Sequence, residues 1–306
     1  MSHGISQLEN RNWDFKKQIT ARQGVAGVGV QVIRDSEIWY VDSGKANAVS
    51  GNGKTWDDAF YTIEEAITAA GDDDIIYLAP GDYVIAEALE ITQNGLTIIG
   101  ANRSCNDYKT LIYTSDAVNA FEVDANHVSI IGVGISMVGG AGAGVKLAGT
   151  TASYKFYLGG CRLDGWSAGT YGVQCDSTQD QPDLTIEGCL FRSWQTAAIL
   201  ANATRIMIKD NYFFVTTDKI GIQYVPNGTT RPDGIIDGNR FCGLANATTT
   251  AIAMTGTPTA GDLIMVDNKL AGTWDVTIEA EANGAGVENY EGSTTGGSVI
   301  DCNSNT

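Results

Sequence analysis

The stretch DGIIDGNRF (233–241) is preceded by RIMIKDNYF (205–213) and followed by DLIMVDNKL (262–270). Each copy sets apolar residues two apart, then a small or acidic residue, then Asn, then a bulky apolar residue. Aligned on the position before the Asn, the column reads Gly100, Gly132, Gly160, Gly188, Asp210, Gly238 and Asp267, at spacings of 32, 28, 28, 22, 28 and 29. Two residues earlier stand Ile98, Ile130, Leu158, Ile186, Ile208, Ile236 and Met265; three residues later, from the second copy on, stand Ile135, Leu163, Phe191, Phe213, Phe241 and Leu270. A second register falls between these copies: AFEV (120–123), GVKL (144–147), GVQC (172–175), AAIL (197–200), GIQY (221–224), AIAM (251–254) and DVTI (275–278).

Two or three short strands per period, with few tight hairpin signals between them, describe a coil rather than a meander. Stacked coils pair each strand with its equivalent one coil on, about 4.8 Å away, and share one interior. The pattern predicts an all-β chain, a right-handed parallel β-helix of about 7–9 coils, the hand following the crossover rule. The predicted boundaries are an N-terminal arm at 1–36, a cap at 37–74 with a helix at 62–70, the β-helix at 75–282, and a tail or last coil at 283–306.

The column after the Gly/Asp position contains Cys161, Cys189, Asn211, Asn239 and Asn268. Stacked Asn side chains can hydrogen-bond one another and the turn backbone, and Asn tolerates the left-handed backbone of a sharp corner. This ladder is therefore read as architectural. In-register strands orient Cys161 and Cys189 poorly for a disulfide, so two stacked buried thiols are expected.

The opening is different. In GNGKTWDDAFYTIEEAITAAGDDDIIYLAPGDYVI (51–85), Ile63, Ala66 and Ile67 share one helical face, Gly71 is placed as the C-cap, and IIYLA (75–79) leads into the turn PGDY (80–83). A helix here would plug the open end of the first coil. The acidic runs Asp57-Asp58 and Asp72–Asp74 lie at this cap and are read as capping and solubilising charges. The series VDSG, GNGKTWDDAFYTIEEAI, DIIYLAPGDYVI, LEIT and LTIIGAN within 39–102 resembles the opening of pectate-lyase-like right-handed β-helix proteins. The resemblance implies the fold, and it implies kinship with secreted carbohydrate enzymes and with bacteriophage decoration, fibre and tailspike proteins. Beyond residue 102 it rests on the repeat alone.

The lyases and galacturonases of that superfamily use clustered carboxylates around Ca²⁺ with an Arg base, or paired Asp residues with GHG and RIK motifs. This sequence has no GHG; its RIMIK (205–209) is a copy of the repeat, and His127 sits in a turn-like ANH. With six Cys in no CxxC pair and only His3 and His127, no metal site and no cofactor is expected. Glu187, Lys209 and Asp237 fall one coil apart and read as a surface charge ladder. Trp166 and Trp194, in LDGW and FRSW, also fall one coil apart, flanked by Asp164 and Arg192. Two stacked indoles beside an Asp–Arg pair would suit pyranose rings, or else the pair covers a turn or lies in a subunit interface. Asp164 and Glu187 form the candidate hydrolytic carboxylate pair, on proximity in the repeat alone.

The formal charge is −17, which disfavours nucleic acid and anionic membranes as partners. No run is apolar enough to insert in a membrane, and MSHGISQLENRNWDFKKQ lacks the apolar core of a secretion signal. Residues 1–36 carry +2, leaving −19 for the rest. That segment, with Trp13, Phe15, Lys16, Lys17 and Arg22, is either a frayed terminus or an arm docking on a second subunit or particle. Two functions follow as expectations. The first is a non-enzymatic bacteriophage virion protein, a homotrimer attached through its arm to other virion proteins and contacting host surface polysaccharide. It would assemble in the host cytoplasm and work in the particle. The alternative is a polysaccharide lyase or glycoside hydrolase of the β-helix type.

Overall fold

The computed structural model describes residues 36–45, 49–107, 109–147, 155–166, 168–175, 183–203, 205–216, 218–225, 233–243, 250–254, 262–272, 276–280, 285–286, 289–292 and 298–300. The strands assemble into three sheets of ten, eight and ten strands, and nearly every pairing is parallel to the equivalent strand one coil away. The chain is a parallel β-helix. Among the described residues eight coils place a strand in all three sheets. The first sheet contains Lys155–Gly159, Asp183–Glu187, Arg205–Lys209 and Asp233–Asp237; the second contains Arg162–Asp164, Leu190–Arg192, Tyr212–Val215 and Arg240–Gly243. The third contains Ala143–Leu147, Tyr171–Cys175, Ala197–Ala201 and Ile220–Tyr224.

Alternation sends Leu158, Ile186, Ile208, Ile236 and Met265 inward from the first sheet, all fully buried. After them the chain turns a corner into the second sheet. The left-handed residue at that corner is Gly132, Gly160, Gly188, Asp210, Gly238 or Asp267, with φ of 52° to 66°. This corrects the assignment of the left-handed position to the Asn: the residue before it takes the positive φ. Glycine adopts that conformation without cost, and Asp is among the few side chains that tolerate it. The Asn is thereby free to turn its side chain into the interior.

There the ladder forms. Asn211, Asn239 and Asn268 are completely buried. Asn211 N and Nδ2 both donate to Asn239 Oδ1 at 3.0 Å, and Asn239 N and Nδ2 donate to Asn268 Oδ1 at 3.2 and 2.9 Å. Each amide also donates backwards to the carbonyl of Ile186, Ile208 or Ile236, at 3.0, 2.8 and 2.8 Å. The cysteines continue the column as free thiols. Cys189 N donates to Asn211 Oδ1 at 2.8 Å, and Cys161 N reaches Cys189 Sγ at 3.4 Å. Burial, reinforced by the adjoining Cys161 sulfur, pushes the Cys189 thiol well above the usual thiol range.

At the N-terminal end the helix Ile63–Ala69 buries Ile63, Ala66 and Ile67. It begins with a capping box: Glu65 N donates to Thr62 Oγ1 at 3.3 Å and Thr62 N to Glu65 Oε2 at 3.0 Å. It does not end on a glycine cap. Ala70 is the C-cap in extended conformation, and Gly71 N donates instead to Asp74 Oδ2 at 2.7 Å. Residues Gly81–Ile85 are a strand, so PGDY is the entry to the second sheet rather than a free turn. At the C-terminal end Asn289–Gly292 continues the second sheet, and Ser298–Ile300 reverses onto it as an antiparallel partner.

Asp74 also departs from the reading of its acidic run as solubilising charge. It is buried and accepts hydrogen bonds from Trp39 Nε1 at 2.9 Å, Glu37 N at 2.7 Å and Gly71 N. Burial alone would raise its pKa; the three donors outweigh that and hold it below the usual value. A depressed folded pKa contributes stability that is present above the unfolded value and lost as pH falls through the folded one. Asp74→Asn is therefore expected to destabilise the cap by about 2 kcal/mol at pH 7. The difference from wild type should shrink below about pH 4. Urea unfolding at pH 7 and at pH 3 measures both; an equal penalty at the two would refute it.

Candidate functional site

The outer face of the first sheet carries a groove of about 570 Å³. It crosses five neighbouring strands, or roughly 19 Å at 4.8 Å per spacing. Lys155, Asp183 and Arg205 open three of these strands and lie in register, so their side chains follow one another along the axis. Asp183 Oδ1 is 2.7 Å from Arg205 Nη1. Two residues further on, the outward positions are Tyr157, Thr185, Met207 and Ile235, which form the floor. His127, in left-handed backbone at φ 59°, lies at one end of the groove and Gly234 at the other. A Cβ on Gly234 would sit 2.0 Å from the Ile206 carbonyl oxygen, so only glycine lets the strands close there. Gly159 makes similar room for the Tyr157 ring, which lies across its Cα. Burial and then the neighbouring Glu187 raise the Tyr157 phenol, so it stays an O–H donor at neutral pH.

The groove thus offers an aromatic and apolar floor with a row of alternating charges along one side. Among its described lining residues Asp183 is the sole carboxylate, and it faces a guanidinium. Such a surface can hold an extended polar chain by stacking, hydrogen bonds and ion pairs.

The residues singled out in the sequence are distributed differently. Glu187 lies on the first sheet beside Lys209, and Lys209 beside Asp237, which places these three charges in one register column. Asp164 ends a strand of the second sheet. The two carboxylates stand on different sheets. Asp164 and Arg192 are register partners, and with Trp166 and Ser193 they line a depression of about 190 Å³. The Asp164 carboxylate lies 3.7 Å from Arg162 and accepts the Trp166 N–H at 3.1 Å. Trp194 does not join them. It is 4% exposed and packs inward against Gly165 and Gly169, whereas Trp166 is 63% exposed. The stacked indole pair is therefore not formed. The arm residues Trp13, Phe15, Lys16, Lys17 and Arg22 lie outside the described residues. No group of three or more His, Cys, Asp or Glu side chains gathers as a metal site among the described residues, and no described helix is long and apolar enough to cross a membrane.

No protein-family profile matches the chain, and no curated protein is similar to it in sequence. Solved structures do resemble it. A pectin methyl esterase of the rice weevil is 13% identical, covers 83% of this chain and 81% of its own, and superposes with a TM-score of 0.52. A point mutant of the PL6 family alginate lyase AlyGC is 11% identical over 83% of this chain and 40% of its own, with a TM-score of 0.57. ORF18 of Geobacillus virus E2 is 12% identical over 82% of this chain and 60% of its own, at 0.39. The first two share the fold and, at such identity, the fold alone; the third carries no argument.

Proposed function

We propose that the chain is a non-enzymatic structural subunit of a bacteriophage particle, a decoration, short fibre or spike, that lays the outer face of its first sheet along a host polysaccharide without cleaving it. The observation behind this is the groove itself. It has the length and lining to hold several sugar units, and its one described carboxylate is ion-paired with Arg205 and has no second carboxylate beside it among the described lining residues. The in-register charges on either side of the floor are the kind of fixed, paired surface that a rigid shaft presents to solvent. The split between a +2 arm and a −19 body fits attachment at one end and exposure at the other. Particle location, trimeric state and arm docking are part of the proposal.

The full-length chain is expected to run in light scattering at about three times its 32.4 kDa protomer mass. It should bind bacterial surface polysaccharide while releasing no reducing or unsaturated ends over a day, and antibodies to it should label purified particles of its phage. A monomer that turns over the polysaccharide would overturn the reading in favour of a lyase or hydrolase.

A further inference from the structure

Position 166 and position 194 are the same place in two consecutive coils, and the chain resolves them in opposite ways. In the later coil the left-handed residue is Ser193, with φ 61°, and the indole that follows turns into the interior. In the earlier coil the left-handed residue is Trp166 itself, with φ 48°, and its indole turns out. A shift of one residue in the positive-φ position reverses the face. The inward choice buries a large apolar surface, as Trp194 does beneath this turn. The outward choice forgoes that burial and adds the strain of a bulky residue in left-handed backbone.

The surroundings hold the exposed ring in place. Ala168 N and Gly169 N both donate to Gly165 O at 2.8 Å, and Trp166 N donates to Asp164 Oδ1. Trp194 lies against the inner side of this turn. A Cβ on Gly165 would be 2.9 Å from its ring, and one on Gly169 would be 2.6 Å away. One Trp is thus the buried support for the turn that displays the other. Beside the displayed indole, Asp164, Arg192 and Ser193 supply an acceptor, a cation and a hydroxyl around a space of about 190 Å³. That is smaller than the usual drug-sized pocket and large enough for one ring. A protein partner pressed on Trp166 would have to desolvate Arg192, whereas a sugar uses it.

We propose that Trp166, Asp164, Arg192 and Ser193 form a monosaccharide subsite on the second sheet, separate from the first-sheet groove. A pyranose rests its C–H face on the indole and hydrogen-bonds its hydroxyls to Asp164 and Arg192. The site does not depend on where the chain works, and it stands whether or not the phage reading holds.

The test is binding of the full-length protein to an immobilised panel of neutral and uronate-containing oligosaccharides, comparing wild type with Trp166→Ala, Trp166→Phe and Arg205→Ala. Trp166→Ala is expected to weaken at least one panel glycan by about tenfold or more, with melting temperature and native mass unchanged. Trp166→Phe should keep most of the affinity. Arg205→Ala removes a groove cation and reports groove binding separately: a glycan held at the subsite should lose more affinity with Trp166→Ala than with Arg205→Ala. The subsite is refuted if the wild type binds nothing on the panel, if Trp166→Ala binds as wild type does, or if only Arg205→Ala reduces binding. A fall in native mass with Trp166→Ala would also refute it, by assigning the indole to a subunit interface.

Discussion

Asn239→Leu is expected to lower the unfolding free energy by about 4 kcal/mol, although leucine is close to asparagine in size. Asn239 occupies the middle of the ladder and takes part in more than its own corner. Its Oδ1 accepts both the N–H and the Nδ2–H of Asn211; its Nδ2 donates to Ile208 O and Asn268 Oδ1. Leucine leaves two donors of the preceding coil and a carbonyl beneath without their partner, in a place water does not reach. Buried groups left unpaired cost about 1–3 kcal/mol each, and the ring of contacts relaxes only in part. In a stacked repeat the penalty falls on the coupling between neighbouring coils, so urea unfolding should also broaden. A loss below about 1 kcal/mol would mean the amides are bystanders of the apolar stack.

The cysteines supply the converse. Cys189 Sγ lies 3.6 Å from Leu158 O, the carbonyl that an Asn amide would reach at this corner, and it offers the Cys161 N–H only a sulfur at 3.4 Å. Cys189→Asn in the same experiment should therefore extend the ladder and add about 1 kcal/mol. If both variants destabilise equally, the column tolerates only its present residues and the hydrogen-bond account fails.

How much of this was legible in the sequence differs from element to element. The coil was readable because the interior imposes a residue type at fixed offsets from a corner, and corners demand Gly or Asp. In the pair Asp210-Asn211 alone both residues tolerate left-handed backbone, but Gly in the equivalent copies marks the earlier position as the left-handed one. The orientation of Trp166 and Trp194 was hidden: a one-residue shift of positive φ leaves no mark in a spacing table. The groove was missed for a different reason. Two members of its charged row, Asp183 and Arg205, lie four residues before Glu187 and Lys209 of the second column in the same strands. The alignment that exposed the second column contained the first. What it lacked was the knowledge that Tyr157 and Met207 point outward between them and that Gly159 and Gly234 leave space beneath.

The largest single-site effect is expected at Phe213. Phe191, Phe213 and Phe241 occupy one inward column of the second sheet, with ring centroids 5.1 and 4.7 Å apart and planes within 9° of parallel. The centroid spacing is close to that of the strands, because in-register pairing carries each ring with its backbone. The third sheet makes room for them. A Cβ on Gly172 would lie 2.6 Å from Phe191, and one on Gly221 would lie 2.8 Å from Phe241. Large residues on one sheet are matched by minimal ones on the facing sheet, so the space vacated by a phenyl ring has no nearby side chain able to fill it. Phe213→Ala should therefore cost about 5 kcal/mol, at the upper end for aromatic truncation in a core. Phe241→Ala is a sharper comparison than any surface control, since its far neighbour in the column is Leu270 and it loses one stacked Phe partner of this column instead of two. It should cost less than Phe213→Ala by about 1 kcal/mol, the usual worth of one aromatic pair beyond burial. Phe213→Leu, which refills most of the volume, should cost nearer 1.5 kcal/mol. Equal losses for the two alanine variants would show that burial alone holds the column and that the parallel stacking of its rings is a consequence of register with no energy of its own.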